Sequence, residues 1–233
     1  MNAMSGIEIF IFQLVVLIFS VMIHEVAHGF VAEKLGDPTA RLAGRLTLNP
    51  LKHLDPFGSV ILPLILSIPL LFGGSAFIFG WAKPVPYNPY NLKDPEKGGA
   101  VVAAAGPLSN ILLAAIFGGL IRLFIGFGFG SLTLVALLSV IVSINLLLAI
   151  FNLLPIPPID GSKVITFFLP HRGRVLWNNF WRKIGGAIRK NRIIFLLIFF
   201  LFFRQIFEFI FLIISPVISF LHLIFAGFPS PFF

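Results

Sequence analysis

A long apolar run near the start of the sequence limits how this chain can fold. It extends from Ile7 to about Ala32, which is long and apolar enough to cross a bilayer as a helix. Four further apolar runs follow, and 58% of the 233 residues are hydrophobic whereas only 11% are charged. This balance is far from that of a soluble globular domain. We therefore expect an all-α polytopic membrane protein.

The other apolar runs differ in how well they suit a straight helix. They occupy Gly58 to about Gly80, about Ala100 to Phe124, about Leu132 to Leu154, and Ile193 to about Ala226. The 58–80 run is broken by prolines and by Gly73-Gly74, and a proline-rich stretch that cannot be helical follows it. The last run contains Arg204, Gln205, Glu208 and Pro216, so it predicts one long helix or a broken pair. We expect about five to six transmembrane helices, with a re-entrant or small β element after the first.

Basic residues are unevenly distributed among the loops. Lysine and arginine number four after the first run, three after the second, none between the third and fourth, and eight after the fourth. Since cytoplasmic loops are rich in these residues, we expect only the loop without them to lie outside. The 58–80 run must then enter and leave the membrane on one side. His24, His28, Gly106–Asn110 and Asp160 would all lie in the cytoplasmic third of the membrane.

Net charge and cysteine content exclude several classes of protein. The net charge is +8, and no cysteine is present, so disulfides and thiolate metal sites are excluded. The anionic leaflet of a membrane explains the charge better than a nucleic acid does, so we predict contact with membrane lipid and no nucleic-acid partner.

The first run lacks the flanking features of a cleaved signal peptide. We expect one membrane-embedded domain, residues 1–233, with a core at 7–162, a basic interfacial segment at 163–192 and C-terminal transmembrane segment(s) at 193–226.

The first apolar run contains the motif His24-Glu25-Val26-Ala27-His28. Residues four apart lie on one face of a helix, so His24 and His28 can bind one metal ion, with Glu25 beside them as a base toward water. Ionisable residues are costly within a membrane, which favours a functional role over core packing. The motif therefore predicts metal-assisted hydrolysis below the membrane surface.

A hydrolytic zinc site usually has three protein ligands, so one ligand must come from elsewhere in the chain. Asp160 is the best candidate, because prolines end the preceding helix and Gly161 permits a sharp turn beside the carboxylate. An Asp-Gly turn at a membrane boundary is the alternative explanation. Glu208 is the rival ligand, with Arg204 one turn earlier as its simpler partner. The remaining histidines are expected to be surface or packing residues: His53, His171 and His222.

Three motifs in this order resemble those of the site-2 protease family, the zinc-dependent intramembrane metalloproteases of peptidase family M50. They are the His24–His28 motif, Gly106-Pro107-Leu108-Ser109-Asn110, and the stretch from Asn152 to Gly161. The resemblance covers about Ile7 to Val164. Gly44–Pro50 and Gly80–Pro86 are similar to a compact prokaryotic branch without PDZ or CBS domains.

This resemblance implies that His24, His28 and Asp160 bind one zinc ion per chain and that Glu25 is the general base. It implies a transmembrane protein substrate, cleaved within or near its membrane helix in regulated intramembrane proteolysis. The site would face the cytoplasm from a prokaryotic plasma membrane, and a homo-oligomer is left open. Asn110 and Asn152 would hold substrate or stabilise the oxyanion, although interhelical hydrogen bonding explains them equally well.

Two further segments have predicted roles. A substrate helix must unwind before attack, and the extended chain could pair with a strand edge at Gly80–Asn88 or Arg45–Leu48. The 163–192 segment, with Trp177 and Trp181 four apart, predicts an interfacial amphipathic helix, and a regulatory gate is the alternative.

Two other classes of protein would also place such residues in a membrane. A transporter or metal-permeation protein usually has internal repeats and a polar path across the membrane, whereas the candidate ligands here cluster near one side. An inactive relative that only binds membrane helices would be expected to lose Glu25 or a ligand, and all four residues are present.

Overall fold

The computed structural model describes residues 6–72 and 80–231, and this part of the chain is helical, without β-strands. The α-helices are α1 (Gly6–Lys34), α2 (Thr39–Leu42), α3 (Leu62–Ser67), α4 (Pro95–Gly126), α5 (Leu132–Asn152), α6 (Gly161–Phe168), α7 (His171–Lys190) and α8 (Arg192–Ala226). The predicted all-α fold is confirmed.

Four of these helices contain segments long and apolar enough to cross a membrane. They are α1, α4, α5 and the Glu208–Ala226 part of α8. Each corresponds to one of the predicted apolar runs, and α8 is one continuous helix of 35 residues despite Pro216. The predicted pairing of Arg204 with Glu208 lies outside the side chains that the structure describes.

Helix α4 packs against α1, α5 and α8. A buried apolar cluster joins α4, α5 and α8, and it includes Ile121, Leu146 and Ile218, each completely buried. At the far end of α4, Arg122 donates hydrogen bonds to the carbonyls of Leu223, Ile224 and Phe225. These are last-turn carbonyls of α8, and only that of Leu223 also accepts a cap hydrogen bond, from the Gly227 N–H.

The 58–80 run forms short helical turns in its described part. A π-helical turn, Pro56–Ile61, leads into α3 and then into a 3₁₀ turn, Ile68–Phe72. The Trp81 N–H donates to the Gly58 carbonyl at 3.2 Å, so the run returns to the place where it began. The Gly73-Gly74 pair lies outside the described residues, and re-entry into the bilayer stays a prediction. The nearest feature to the predicted β element is one antiparallel bridge between Leu54 and Ala82.

Asp37 joins the end of α1 to the chain that precedes α4. Its fully buried carboxylate accepts hydrogen bonds from the backbone and hydroxyl of Thr39, the backbone N–H of Asn88 and the side-chain amide of Asn91. Burial raises the pKa of Asp37, but these donors outweigh that effect and hold the pKa below its ordinary value. The loops beside the predicted metal site are therefore tied together by one ionised carboxylate.

Candidate metal centre

His24 and His28 lie one turn apart on α1, and both are buried. The Nε2 atom of each ring is 3.2 Å from the same oxygen of Asp160, Oδ2. The ligand atoms of these three residues all lie within 4.8 Å of one another, and no other such group is found in the described part of the chain. The structure therefore brings together the three residues predicted as metal ligands.

The ring of His24 is oriented by Asn110 of α4. The His24 Nδ1–H donates to Asn110 Oδ1 at 2.6 Å. The amide nitrogen of Asn110 donates to Asn145 Oδ1 and to the Ser20 carbonyl, which can only accept, so the amide oxygen must face His24. This network leaves Nε2 of His24 without a proton and directed at Asp160.

His28 is oriented by the main chain of the same helix, α4. Its Nδ1–H donates to the Val102 carbonyl at 2.6 Å. A carbonyl can only accept, so Nδ1 carries the proton and Nε2 presents its lone pair. Histidines that bind metals almost always donate their other N–H in this way. Both rings are thus arranged as metal ligands.

Gly106 allows α4 to come close to these rings. A Cβ atom at this position would lie 2.5 Å from Nε2 of both His24 and His28. The space in front of the two nitrogens therefore exists only because residue 106 has no side chain. This gives Gly106 a structural role that its presence in a motif did not reveal.

Asp160 lies at the link between α5 and α6, where it precedes the first turn of α6. Gly161 was expected to permit a sharp turn, but it has no positive φ. It is needed instead because a Cβ there would collide with the Leu153 carbonyl.

Glu25 does not belong to the cluster of three ligands, and its carboxylate is held by a separate contact. The backbone N–H of Val85 donates to Glu25 Oε2 at 2.7 Å. Val85 lies between Pro84 and Pro86, which have no N–H, so it is the only backbone donor in that tripeptide. The extended chain after the 58–80 run therefore positions the predicted base.

A cavity of about 270 Å³ opens beside this centre. It is lined by α1, α5, α8 and the Gly80–Ala82 stretch, and most of its lining is apolar. The polar residues include His24, Glu25 and Asn152. Asn152 donates to the Leu148 carbonyl of its own helix, at 2.8 Å. The two predicted asparagines thus differ, because Asn110 is fully buried behind His24 whereas Asn152 lines the cavity.

The other histidines considered as ligands lie elsewhere. His53 contacts the Thr47 carbonyl through Nε2, and His222 contacts the Phe228 carbonyl through Nδ1. Both are buried and apart from the three-residue cluster.

Sequence reasoning missed several residues that support the centre: Ser20, Val85, Val102 and Asn145. Val85 and Val102 act through backbone groups, for which the sequence carries no signal. Ser20 and Asn145 are polar residues within apolar helices, and this was a usable signal, because buried polar groups in a membrane find hydrogen-bond partners.

The donor set fits a hydrolytic zinc ion. Two imidazole nitrogens and one carboxylate oxygen are a usual ligand set of catalytic zinc, which keeps a further position for water or substrate. The Nδ1 atom of each ring has an acceptor, and the absence of a side chain at Gly106 leaves room for a metal ion at the Nε2 atoms.

Sequence comparisons relate the chain to known metalloproteases. The sequence model of peptidase family M50 matches residues 128–197. YwhC of Bacillus subtilis, named as a zinc metalloprotease, is 42% identical over 164 residues, which cover 68% of this chain and 69% of that protein. A protein of Methanocaldococcus jannaschii with the same kind of name is 32% identical over 196 residues, 76% of this chain and 84% of that protein. No solved structure matches the chain significantly. The chain is a zinc-dependent membrane metalloprotease that belongs to peptidase family M50.

Proposed function

We propose that this protein is an intramembrane endopeptidase, which hydrolyses peptide bonds within or near the transmembrane helices of membrane-protein substrates. The observation that carries the proposal is the apolar cavity, which is lined by His24 and Glu25 and by α5, a helix long and apolar enough to cross a membrane. A protease that cleaves soluble chains would not need an apolar cavity between membrane-spanning helices.

His24, His28 and Asp160 are the residues that would hold the zinc ion. When bound, zinc polarises a peptide carbonyl and lowers the pKa of water. The protein supports this chemistry by giving the Nδ1–H of each ring an acceptor, which in the neutral rings leaves both Nε2 lone pairs for the metal.

Glu25 acts as the general base in this proposal. Its carboxylate accepts a proton from the attacking water while the new C–O bond forms, and it later gives a proton to the amine as the C–N bond breaks. The Val85 N–H limits the rotation of this carboxylate, because it donates to Oε2.

The two asparagines have different proposed roles. Asn110 is a positioning residue that acts through His24, since its amide is engaged with His24, Asn145 and Ser20. Asn152 remains the candidate for contact with substrate or the oxyanion, because it lines the cavity.

Ala82 offers a backbone edge to an unwound substrate. Ala82 faces Leu54 across the antiparallel bridge, and the adjacent Lys83 N–H donates to the His53 carbonyl at 2.9 Å. The Leu54–Ala82 pair is therefore of the non-hydrogen-bonded type, in which each residue directs its own N–H and C=O away from its partner. Ala82 also lines the cavity, which favours Gly80–Asn88 over Arg45–Leu48 as the pairing edge.

The distribution of lysine and arginine supports a metal centre on the cytoplasmic side of a prokaryotic plasma membrane. Cleavage at that depth would release the cytoplasmic part of a substrate, as regulated intramembrane proteolysis requires.

The decisive experiment compares wild type, Glu25→Gln and chelator-treated protein on a panel of single-span membrane substrates, with metal analysis of each preparation. We expect wild type to cut within the span and Glu25→Gln to keep about one zinc ion but lose cleavage by roughly 100-fold or more. Cuts confined to soluble loops, or full activity in Glu25→Gln, would refute the proposal.

Ala82→Pro tests the proposed pairing edge. It should lower cleavage without loss of zinc, because it removes the N–H that pairs with substrate.

A further inference from the structure

A second cavity, of about 490 Å³, lies between the beginning of α4 and helices α6 and α7. Its lining includes Asp94–Lys97 on one side, and Lys163, Arg174 and Trp181 on the other. It shares no lining residue with the cavity beside the metal centre. Neither the zinc chemistry nor the proposed binding of substrate uses this second cavity.

The acidic groups of this cavity are already engaged. The Asp94 carboxylate caps α4 by accepting the N–H groups of Glu96 and Lys97. Glu96 forms an ion pair with Arg174 of α7. Neither carboxylate is therefore left to attract a cation into the cavity.

Two side chains of the lining each have a donor without a hydrogen-bond partner in the described part of the chain. These donors are Arg174 Nε and Trp181 Nε1, and both atoms are buried. A buried donor without an acceptor is destabilising, so such atoms usually mark a missing partner. Lys97 and Lys163 add positive charge, although Lys163 also contacts the ring and hydroxyl of Tyr87. The side chains of this wall thus combine net positive charge with two donors that lack an acceptor, which suits an anion with more than one oxygen.

The remaining lining is apolar and continues onto exposed apolar surface. Phe167 and Trp177 line the cavity. Phe168, Leu176 and Phe180 nearby on α6 and α7 are 74%, 71% and 54% exposed. Paired indoles and basic residues on one amphipathic helix are typical of the boundary between lipid and water. A free phosphate would not use this apolar surface, whereas a phospholipid would.

We propose that this cavity binds the phosphate of an anionic phospholipid. Arg174 and Trp181 donate to the phosphate oxygens, Lys97 supplies charge, and the acyl chains lie along Phe167 and the exposed face of α7. The lipid would then rest against α6, the helix that begins directly after Asp160. This binding site does not depend on the proposed proteolytic function.

Native mass spectrometry of the purified full chain in detergent tests the proposal by titration with phosphatidylglycerol or phosphatidylcholine. We expect one phosphatidylglycerol to bind about tenfold more tightly than phosphatidylcholine. Arg174→Gln should lower that affinity by about fivefold or more, whereas Arg182→Gln, which removes the same charge from α7 outside the cavity, should change it less than about twofold. Trp181→Phe keeps the aromatic ring and should weaken binding, whereas Trp177→Phe should not, because only the Trp181 N–H is buried without an acceptor.

Three results would overturn the proposal. The first is equal affinity for the two lipids, and the second is an equal effect of Arg174→Gln and Arg182→Gln, which would indicate diffuse surface charge. The third is displacement of the lipid by low millimolar inorganic phosphate, which would assign the donors to a soluble anion. Circular dichroism of each variant ensures that loss of binding is not loss of folding, and Trp181→Phe, with its small change in volume, keeps the test valid if Arg174→Gln does not fold.

Discussion

The two histidines predicted to bind zinc depend on different kinds of acceptor. His28 is held by the main-chain carbonyl of Val102, which no side-chain substitution removes, whereas His24 is held by the side chain of Asn110. The orientation of His24 is therefore the more vulnerable of the two, and its cause can be tested by single substitutions.

Asn110→Leu should lower zinc affinity by about 10- to 100-fold, the usual effect of removing a partner of a ligand. The reason is that the His24 ring loses the acceptor for its Nδ1–H. Competition with a chelating dye measures the affinity. Asn152→Leu is the matched control, because its amide contacts only the Leu148 carbonyl within the described structure. It should keep zinc and change kcat instead, and equal zinc loss in both variants would contradict the assigned roles.

Gly106→Ala should abolish most zinc binding, because the new methyl group would occupy the space in front of the two histidine nitrogens. Metal analysis after purification should give less than a tenth of the wild-type content. Gly119→Ala on the same helix is the control, since a Cβ there meets nothing within 4 Å. It should keep its zinc and change the free energy of unfolding by no more than about 1 kcal/mol. Normal zinc content in Gly106→Ala would show that α4 is not so close to the ligands.

At the scale of the elements, Asp37 determines how the loops around the metal centre respond to acid. Its pKa is lowered on folding, so the folded state binds a proton less readily than the unfolded state. The stabilisation that it provides is complete above the unfolded pKa, about 3.9, and is lost as the pH falls through the folded value.

Asp37→Asn should reduce the free energy of unfolding at pH 7 by about 1–3 kcal/mol, because an amide group would face a buried donor. The difference from wild type should shrink as the pH falls below about 4, since wild type then loses its own advantage. Thermal unfolding in detergent from pH 7 to pH 3 measures this. Asp94→Asn, at an exposed N-cap where asparagine serves equally well, should follow the wild-type curve. A constant difference at all pH values would refute the role of ionisation.

The sequence was sufficient to predict the long helices and the residues that meet at the metal centre. Helices α1, α4 and α5 follow from uninterrupted apolar runs, and the two histidines follow from a spacing of four. Asp160 was harder to identify, because a carboxylate on a proline-rich link could also be an ordinary turn. Contacts through backbone groups, such as the Val85 N–H to Glu25, could not be predicted, because they depend on how a non-helical stretch packs against a helix.

At the scale of the whole molecule, the side of the membrane that carries the metal centre can be tested by labelling, since the chain has no cysteine. Tyr90 precedes α4 and is 89% exposed, whereas Phe129 follows it and is 75% exposed. In intact cells, a membrane-impermeant maleimide should label Phe129→Cys but not Tyr90→Cys, because only the loop after α4 is expected outside.

Both variants should be labelled equally once the cells are permeabilised, which shows that each thiol is reactive. Labelling of Tyr90→Cys alone in intact cells would invert the orientation and place the metal centre on the outer side.

The distance along the chain between the ligands has a consequence for biosynthesis. His24 and Asp160 are 136 positions apart, and α4 and α5 lie between them. At about 5–20 residues per second, a ribosome needs roughly 7–27 s to proceed from one to the other. During that interval the nascent chain carries the proposed base and two of the three proposed ligands. In the proposed mechanism, zinc cannot acquire its third protein ligand before Asp160 is synthesised, so unassembled membrane helices meet an incomplete site during that interval.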